Sequence, residues 1–259
     1  ITNIGRAHLE GMGGTEGVLK TKTELFQYLL ETGGQVFINS SQKIFTNMIR
    51  RFDQPVLFPG PSDFCQVTFE GANPHVTFSL PPDQTIYVSN LIGHYNFDNI
   101  AAALCVAQYF EVPLKEAAMT IAAYVPENMR SQVIEKRSNI ILLDAYNANP
   151  SSMEAALRAF DKLDKRKHKM VILGDMYELG EYSKAEHEKV GELVNQMRLD
   201  KICFTGKDTQ YALSKAPKAL YFPDPFSLRN WLRDSNLEDY QILIKGSRGM
   251  KLEGLLTFV

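Results

Sequence analysis

Two rhythms of apolar and polar residues run along this chain. From Thr15 to Glu31, apolar Val18, Leu19, Leu25, Phe26, Leu29 and Leu30 recur at helical spacing, which predicts a helix capped by Thr15 and stopped at Gly33-Gly34. Before it, Ile1 to Ile4 reads as a strand already under way, followed by a Gly-rich loop, and points to a fragment of a longer protein. Gln35 to Asn39 and Pro55 to Phe58 read as strands, with a helix between them over Ser41 to Phe52. The rhythm then changes to strict alternation in Cys65 to Phe69, His75 to Leu80 and Thr85 to Val88, separated by turn residues Gly71-Ala72-Asn73-Pro74 and Pro81-Pro82-Asp83. That pattern predicts an antiparallel meander. Helices are predicted over Ile100 to Phe110 and Pro113 to Tyr124.

Beyond Pro126-Glu127-Asn128, which reads as a linker, short apolar runs alternate with helical patterns. Strands are expected at Gln132 to Lys136, Ile140 to Asp144, Met170 to Gly174, Lys201 to Thr205, Leu220 to Phe222 and Gln241 to Lys245. Helices are expected near 151–163, 183–197, 208–214, 225–235 and 247–257. Such alternation implies a mostly parallel, doubly wound sheet. The expected fold class is α/β, with domains over 1–126 and 127–259.

Composition narrows the function classes. The 259 residues are 44% hydrophobic and 22% charged, with formal net charge −2, which gives no global electrostatic reason to bind nucleic acid. Cys65, Cys105 and Cys203 are far apart without a CxxC pair, so neither a disulfide framework nor a zinc site is expected, which suits a reducing cytoplasm. No apolar run is long enough for a membrane helix and no secretory leader is evident.

The densest chemistry lies in Leu143-Asp144-Ala145-Tyr146-Asn147-Ala148-Asn149-Pro150-Ser151-Ser152-Met153. An apolar strand ends at Asp144, a polar turn follows, and Pro150 suits the first helical position with Asn149 as N-cap. Ligands of open α/β sheets sit outside the carboxyl ends of strands. Asn149 serves equally well as a cap or as a ligand contact, but one cap does not account for a carboxylate, a phenol and two amides in one turn.

That run, Asp-x-Tyr-Asn-Ala-Asn-Pro-x-Ser-Met, resembles the loop opening the C-terminal domain of the Mur ligases, in particular of their D-alanyl-D-alanine-adding members. The resemblance implies a partial central domain followed by a Rossmann-like C-terminal domain. Further segments carry it. Ala7-His8-Leu9-Glu10-Gly11 with Lys20-Thr21-Lys22-Thr23-Glu24-Leu25-Phe26 is similar to the central domain, where His8 would bind Mg²⁺ and Lys22, carbamylated by carbon dioxide, would add an oxygen ligand. Gly93-His94-Tyr95-Asn96-Phe97-Asp98-Asn99 matches at Asn96 and Asn99, implying contact with the adenine of ATP, while Tyr95 stands where the family has His. Helix capping by Asn96 is the alternative. Arg130 corresponds to the arginine of a Gly-Arg pair on the ATP phosphates, with Met129 in place of Gly. Asp144 corresponds to a carboxylate near the ATP ribose and phosphates.

Gly174-Asp175-Met176-Tyr177-Glu178-Leu179-Gly180, with His187, resembles Gly-Asp-Met-x-Glu-Leu-Gly … His, where the carboxylates of Asp175 and Glu178 either orient an ammonium or hold the loop. Lys245-Gly246-Ser247-Arg248 resembles a Lys-Gly-Ser-Arg segment near the incoming carboxylate. With Tyr146, Asn147 and Asn149, these form the expected substrate set. The implied activity is ATP-dependent amide-bond formation through an acyl phosphate, adding D-alanyl-D-alanine to UDP-N-acetylmuramoyl-tripeptide, by a monomer in the cytoplasm. No Gly-x-x-Gly-Lys-[Thr/Ser] phosphate loop occurs in the chain, so it is expected to be inactive alone. Two other readings are another amide ligase of the superfamily, including one adding glutamates to folate, and a non-catalytic binding module retaining the C-terminal site.

Overall fold

The computed structural model describes residues 1–163 and 168–259. Contacts divide them into two compact units, Ile1–Gly5 with Met12–Val125, and Arg6–Gly11 with Pro126–Val259.

The first unit is built from a long helix, a strand pair and a meander. Its long helix is α2 (Gly14–Thr32), which follows a short helix α1 (Leu9–Met12) whose first three residues belong to the second unit. Glycines in the left-handed region flank α2: Gly13 (φ 74) is its N-cap where Thr15 was expected, and Gly33 (φ 67) returns its N–H to the Leu29 carbonyl. The buried stripe is narrower than the sequence suggests. Val18 and Phe26 are buried, whereas Leu19 and Leu25 face outward. Phe26 packs edge-on against Phe45 and Phe52. Strands β1 (Phe37–Asn39) and β2 (Val56–Phe58) pair in parallel. Between them the expected helix is broken into a 3₁₀ turn, Lys43–Phe45, and a single turn α3 (Thr46–Ile49). Ahead of that turn, the Asn39 side chain holds Ser41 through both its N–H and its hydroxyl. Ile1 to Ile4 forms no strand. Its isoleucines pack on the Phe26 cluster instead of finding a hydrogen-bonded neighbour.

The meander is antiparallel, β3 (Thr68–Ala72), β4 (His75–Ser79) and β5 (Ile86–Ile92), paired in that order with register shifts at Phe69/Gly71 and His75/Thr77. Its inner face, Val76, Phe78 and Tyr87, meets Ile100, Ala101, Leu104 and Cys105 of α4 (Tyr95–Tyr109) and Ala118 of α5 (Leu114–Ala123). Helix α4 starts five residues earlier than the sequence suggests, so Asn96 and Asn99 lie within it and neither caps it.

The second unit is a six-stranded sheet in the order β10-β9-β8-β11-β7-β6. Its elements are β6 (Gln132–Lys136), β7 (Asn139–Asp144), α6 (Pro150–Asp161), β8 (His168–Gly174), α7 (Ser183–Gln196), β9 (Lys201–Thr205), β10 (Leu220–Phe222), α8 (Pro225–Asp234) and β11 (Tyr240–Lys245). Only the β6–β7 pairing is antiparallel. The expected α-helices at 208–214 and 247–257 are 3₁₀ segments, Thr209–Ser214, Arg248–Met250 and Leu252–Phe258. Near the C-terminus Lys251 at φ 52 breaks the run, and glycines at 246, 249 and 254 weaken any α-helix there. Ile141, Leu143, Ile172, Ile242 and Ile244 form the central core with Leu228, Leu232 and Leu252. Parallel pairing places the carboxyl ends of β7, β8, β9 and β11 along one edge, and the loops leaving that edge carry the chemistry.

Candidate functional site

Asp144 and Lys245 end adjacent strands and are register partners. The Lys245 ammonium donates to Asp144 Oδ2 at 2.5 Å and to the Asn147 carbonyl at 3.2 Å. Lys245 is 1% exposed, and Asp144 Oδ1 accepts the Ser131 N–H at 3.1 Å. The sequence reading placed Lys245 against a substrate carboxylate. Its position is instead internal, where it neutralises Asp144 and ties down the following loop.

Within that loop, Asn149 is the N-cap of α6. Its Oδ1 accepts the Ser152 N–H at 2.9 Å, and Ser152 Oγ accepts the Asn149 N–H in return. Asn149 thus takes the capping role, while Asn147 and Tyr146 remain exposed. The Arg130 guanidinium carbon lies 4.0 Å from the centroid of the Tyr146 ring, a cation–π contact. Met129 and Ser131, on either side of Arg130, both adopt positive φ, 57° and 50°.

The loop after β8 is pinned from inside. Asp175, expected to meet substrate, is buried, and its carboxylate accepts the backbone N–H groups of Lys207, Asp208 and Thr209 at 2.9, 2.9 and 2.8 Å. Three N–H donors satisfy that carboxylate completely enough to make it part of the frame. Gly206 permits this approach, since it sits at φ 121 and a Cβ there would lie 2.5 Å from the Asp175 carboxylate. His187 is buried and bridges α7 to the same loop. Met176 N–H donates to its Nε2 at 3.1 Å, so the ring proton resides on Nδ1, which donates to the Ser183 carbonyl at 2.8 Å. Burial lowers the His187 pKa below its ordinary value, against the opposing effect of the Ser183 carbonyl, Asp175, Asp208 and Glu186. Ser247 is likewise engaged: its N–H donates to the Asp175 carbonyl and its Oγ accepts the Tyr177 N–H at 2.9 Å.

Outside this frame is a cleft of about 170 Å³ lined by Ala7, His8, Asn147, Ala148, Asn149, Tyr177, Glu178, Ser247, Arg248 and Gly249. Glu178, at φ 60, pairs its carboxylate with His8 Nδ1 and accepts the Glu10 N–H on its carbonyl. Arg248 is half-exposed and donates one N–H to Glu253 at 2.8 Å. The cleft lining therefore includes an acidic side chain, Glu178, and a basic one, Arg248. A larger hollow of about 310 Å³ includes Arg6, Glu154, Arg158, Glu186 and Lys189, whose charges pair among themselves.

In the first unit, Lys22 Nζ donates to the Asn3 carbonyl at 3.2 Å. Asn96 is buried, donating to the Ile92 carbonyl at 2.8 Å and accepting from Asn99 Nδ2 at 3.2 Å.

Two family models match: the Mur ligase middle domain over residues 1–107 and the Mur ligase, glutamate ligase domain over residues 129–248. The chain belongs to the Mur ligase family. It is 28% identical over 278 residues to the UDP-N-acetylmuramoyl-tripeptide–D-alanyl-D-alanine ligase of Bacillus subtilis (strain 168), covering 99% of this chain and 57% of that protein. It is also similar to MurF from Acinetobacter baumannii, with TM-score 0.84, 26% identity, and 99% and 58% coverage. A third likeness is to MurF ligase from Thermotoga maritima in complex with ADP, with TM-score 0.77, 23% identity, and 99% and 60% coverage, which speaks to the fold. The chain thus spans less than two-thirds of each of these relatives.

Membership of the Mur ligase family gives Met129 a meaning. Its left-handed backbone is one a glycine enters freely, and the resembled motif has Gly there. For Mg²⁺, no group of three or more His, Cys, Asp or Glu gathers among the described residues. His8 pairs its Nδ1 with Glu178, which leaves its Nε2 as the nitrogen that would bind an ion completing its shell with phosphate and water. Lys22 as an ammonium is a donor to Asn3, not a ligand. Sequence reasoning missed Tyr177 and Gly249 as cleft residues, because a variable position in a loop motif and a glycine after a basic motif carry no periodic signal.

Proposed function

We propose that this chain carries the acceptor-binding part of an ATP-dependent ligase that joins D-alanyl-D-alanine to UDP-N-acetylmuramoyl-tripeptide in peptidoglycan precursor synthesis. The observation that carries the proposal is the small cleft bearing Glu178 and Arg248, at loops leaving β8 and β11. A zwitterionic dipeptide has an ammonium for Glu178 and a carboxylate for Arg248. The names of the relatives agree with that acceptor, and the Thermotoga maritima protein's ADP agrees with a nucleotide co-substrate.

In this proposal the donor carboxylate oxygen attacks the γ-phosphorus of ATP, and ADP leaves. The acceptor ammonium gives up one proton to solvent, the free amine attacks the acyl carbon, phosphate leaves, and the new amide nitrogen loses a second proton to solvent. Arg130, whose guanidinium lies over Tyr146, is assigned to the phosphate oxygens, which its planar donors match. Lys245 pairs with Asp144 and holds the Tyr146-Asn147 turn in place. Asn96 and Asn99 are assigned to the adenine. His8 is assigned to Mg²⁺ and Lys22, once carbamylated, is assigned a Mg²⁺-ligand role as well; the ion would neutralise phosphate charge when bound. Such a reaction belongs in the cytoplasm, and no helix of the described residues is long and apolar enough to cross a membrane.

The test is phosphate release by the full-length protein. We expect release only when ATP, the nucleotide tripeptide and D-alanyl-D-alanine are all present, and none from the 259-residue chain alone. Preference for D-glutamate over the dipeptide would transfer the protein to another branch of the family. Dipeptide binding without turnover would make it a binding module.

A further inference from the structure

We propose that Tyr177 sets the size limit of the acceptor, restricting it to short zwitterionic peptides with small side chains; this rests on the acceptor reading above and names the residue that enforces it. The lining of the cleft is polar except for Ala7, Ala148, Gly249 and the Tyr177 ring. Tyr177 is therefore its one bulky apolar surface, and an acceptor side chain has nowhere else to bury. The cleft volume of about 170 Å³ is below the range of about 300–1,000 Å³ common to drug-sized ligands.

The ring is held in place from three directions. Its backbone N–H donates to Ser247 Oγ at 2.9 Å. The next residue, Glu178, turns the chain at φ 60 and anchors on His8 and Glu10. The ring edge rests on Gly249, where an added Cβ would come within 2.8 Å of Tyr177 Cε2. A glycine there lets the ring lie on backbone, and any side chain would displace it. The hydroxyl stays protonated, because burial and the charges of Asp175 and Asp208 raise its pKa. The ring is accordingly a neutral wall and contributes no charge to recognition.

The experiment compares D-Ala-D-Ala with D-Leu-D-Ala as acceptors for the full-length protein, by steady-state kinetics and by calorimetric binding. Tyr177→Ala is expected to raise kcat/KM for D-Leu-D-Ala relative to D-Ala-D-Ala by about tenfold or more, through KM, because the ring no longer excludes the added methylenes. Tyr177→Phe should leave the ratio as it is, and Gly249→Ala should change it without altering KM for ATP. Calorimetry gives the same ratio for any variant that has lost turnover, and Tyr177→Leu replaces the alanine variant if that one does not fold. An unchanged ratio in Tyr177→Ala or Tyr177→Leu overturns the proposal while leaving the acceptor reading intact. A wild-type protein that neither binds nor uses D-Ala-D-Ala overturns the acceptor reading, and the proposal with it.

Discussion

Lys245 and Asp144 face each other across parallel strands β11 and β7, and the lysine ammonium reaches the carboxylate at 2.5 Å while its side chain is 1% exposed. The pair is placed by register: shift either strand by one residue and that strand's charge turns to the opposite face, away from its partner. It joins the last strand of the sheet to the turn that carries Tyr146 and Asn147.

Removing one member of the pair leaves the other charged and buried. Lys245→Met should destabilise the chain by about 3–5 kcal/mol, and Lys245→Met with Asp144→Asn should recover much of that loss. Urea denaturation of the four proteins of this cycle measures it. A single-variant cost no larger than that of a surface ion pair would contradict the buried pair.

Asn149 is expected to act as a cap. Asn149→Ala should cost about 1 kcal/mol and Asn149→Ser far less, because a serine oxygen also accepts the Ser152 N–H. Kinetics of the full-length protein separate the roles: if the serine variant keeps its stability but loses acceptor affinity, the amide touches substrate after all.

His187 supplies a pH dependence. Its neutral ring accepts from Met176 and its folded pKa is lowered from 6.5 by burial. The unfolded chain therefore binds a proton more readily than the folded one. This contribution to stability is complete above the unfolded value and is lost as pH falls from there through the folded pKa. Denaturation midpoints measured from about pH 8 to about pH 5 should decline on the acid side, and His187→Gln should flatten that limb relative to the native protein. Identical slopes would remove His187 from the account.

Asp175 is predicted to matter for structure before substrate. Asp175→Ala leaves three backbone N–H groups of residues 207–209 without their acceptor, a loss of about 3 kcal/mol or more at a buried site. Hydrogen exchange should quicken at Lys207, Asp208 and Thr209. Unchanged protection there, with acceptor affinity alone reduced, would restore Asp175 to the cleft.

Period and punctuation in the sequence were enough for the α/β class and for most of the second unit's strands and helices. Apolar runs such as Ile140 to Leu143 and Met170 to Leu173 must be buried on both faces, and Asn149-Pro150 directly ahead of a helical pattern marks a helix start. Local signals were weaker where partners decide the outcome. Ile1 to Ile4 has strand composition, but a strand exists only with a neighbour, and none pairs with it among the described residues. Helix α4 extends back over Tyr95 to Asn99 because Phe97 is buried there in the meander's core, a contact that no local spacing reveals.

The same division runs through the site. The sequence by itself determined which residues gather at the strand ends, because strand boundaries and polar turns are local properties of the chain. Only the tertiary structure decided which of them face inward. Lys245, Asp175 and Asn149 have the chemistry of ligand contacts, but parallel register, the Thr205–Thr209 turn and the start of α6 each provide an internal partner. The Tyr177 ring lies against the backbone of Gly249 and lines the cleft. A polar side chain's role is fixed by which donors and acceptors lie within about 3 Å of it, and those come from segments distant in sequence.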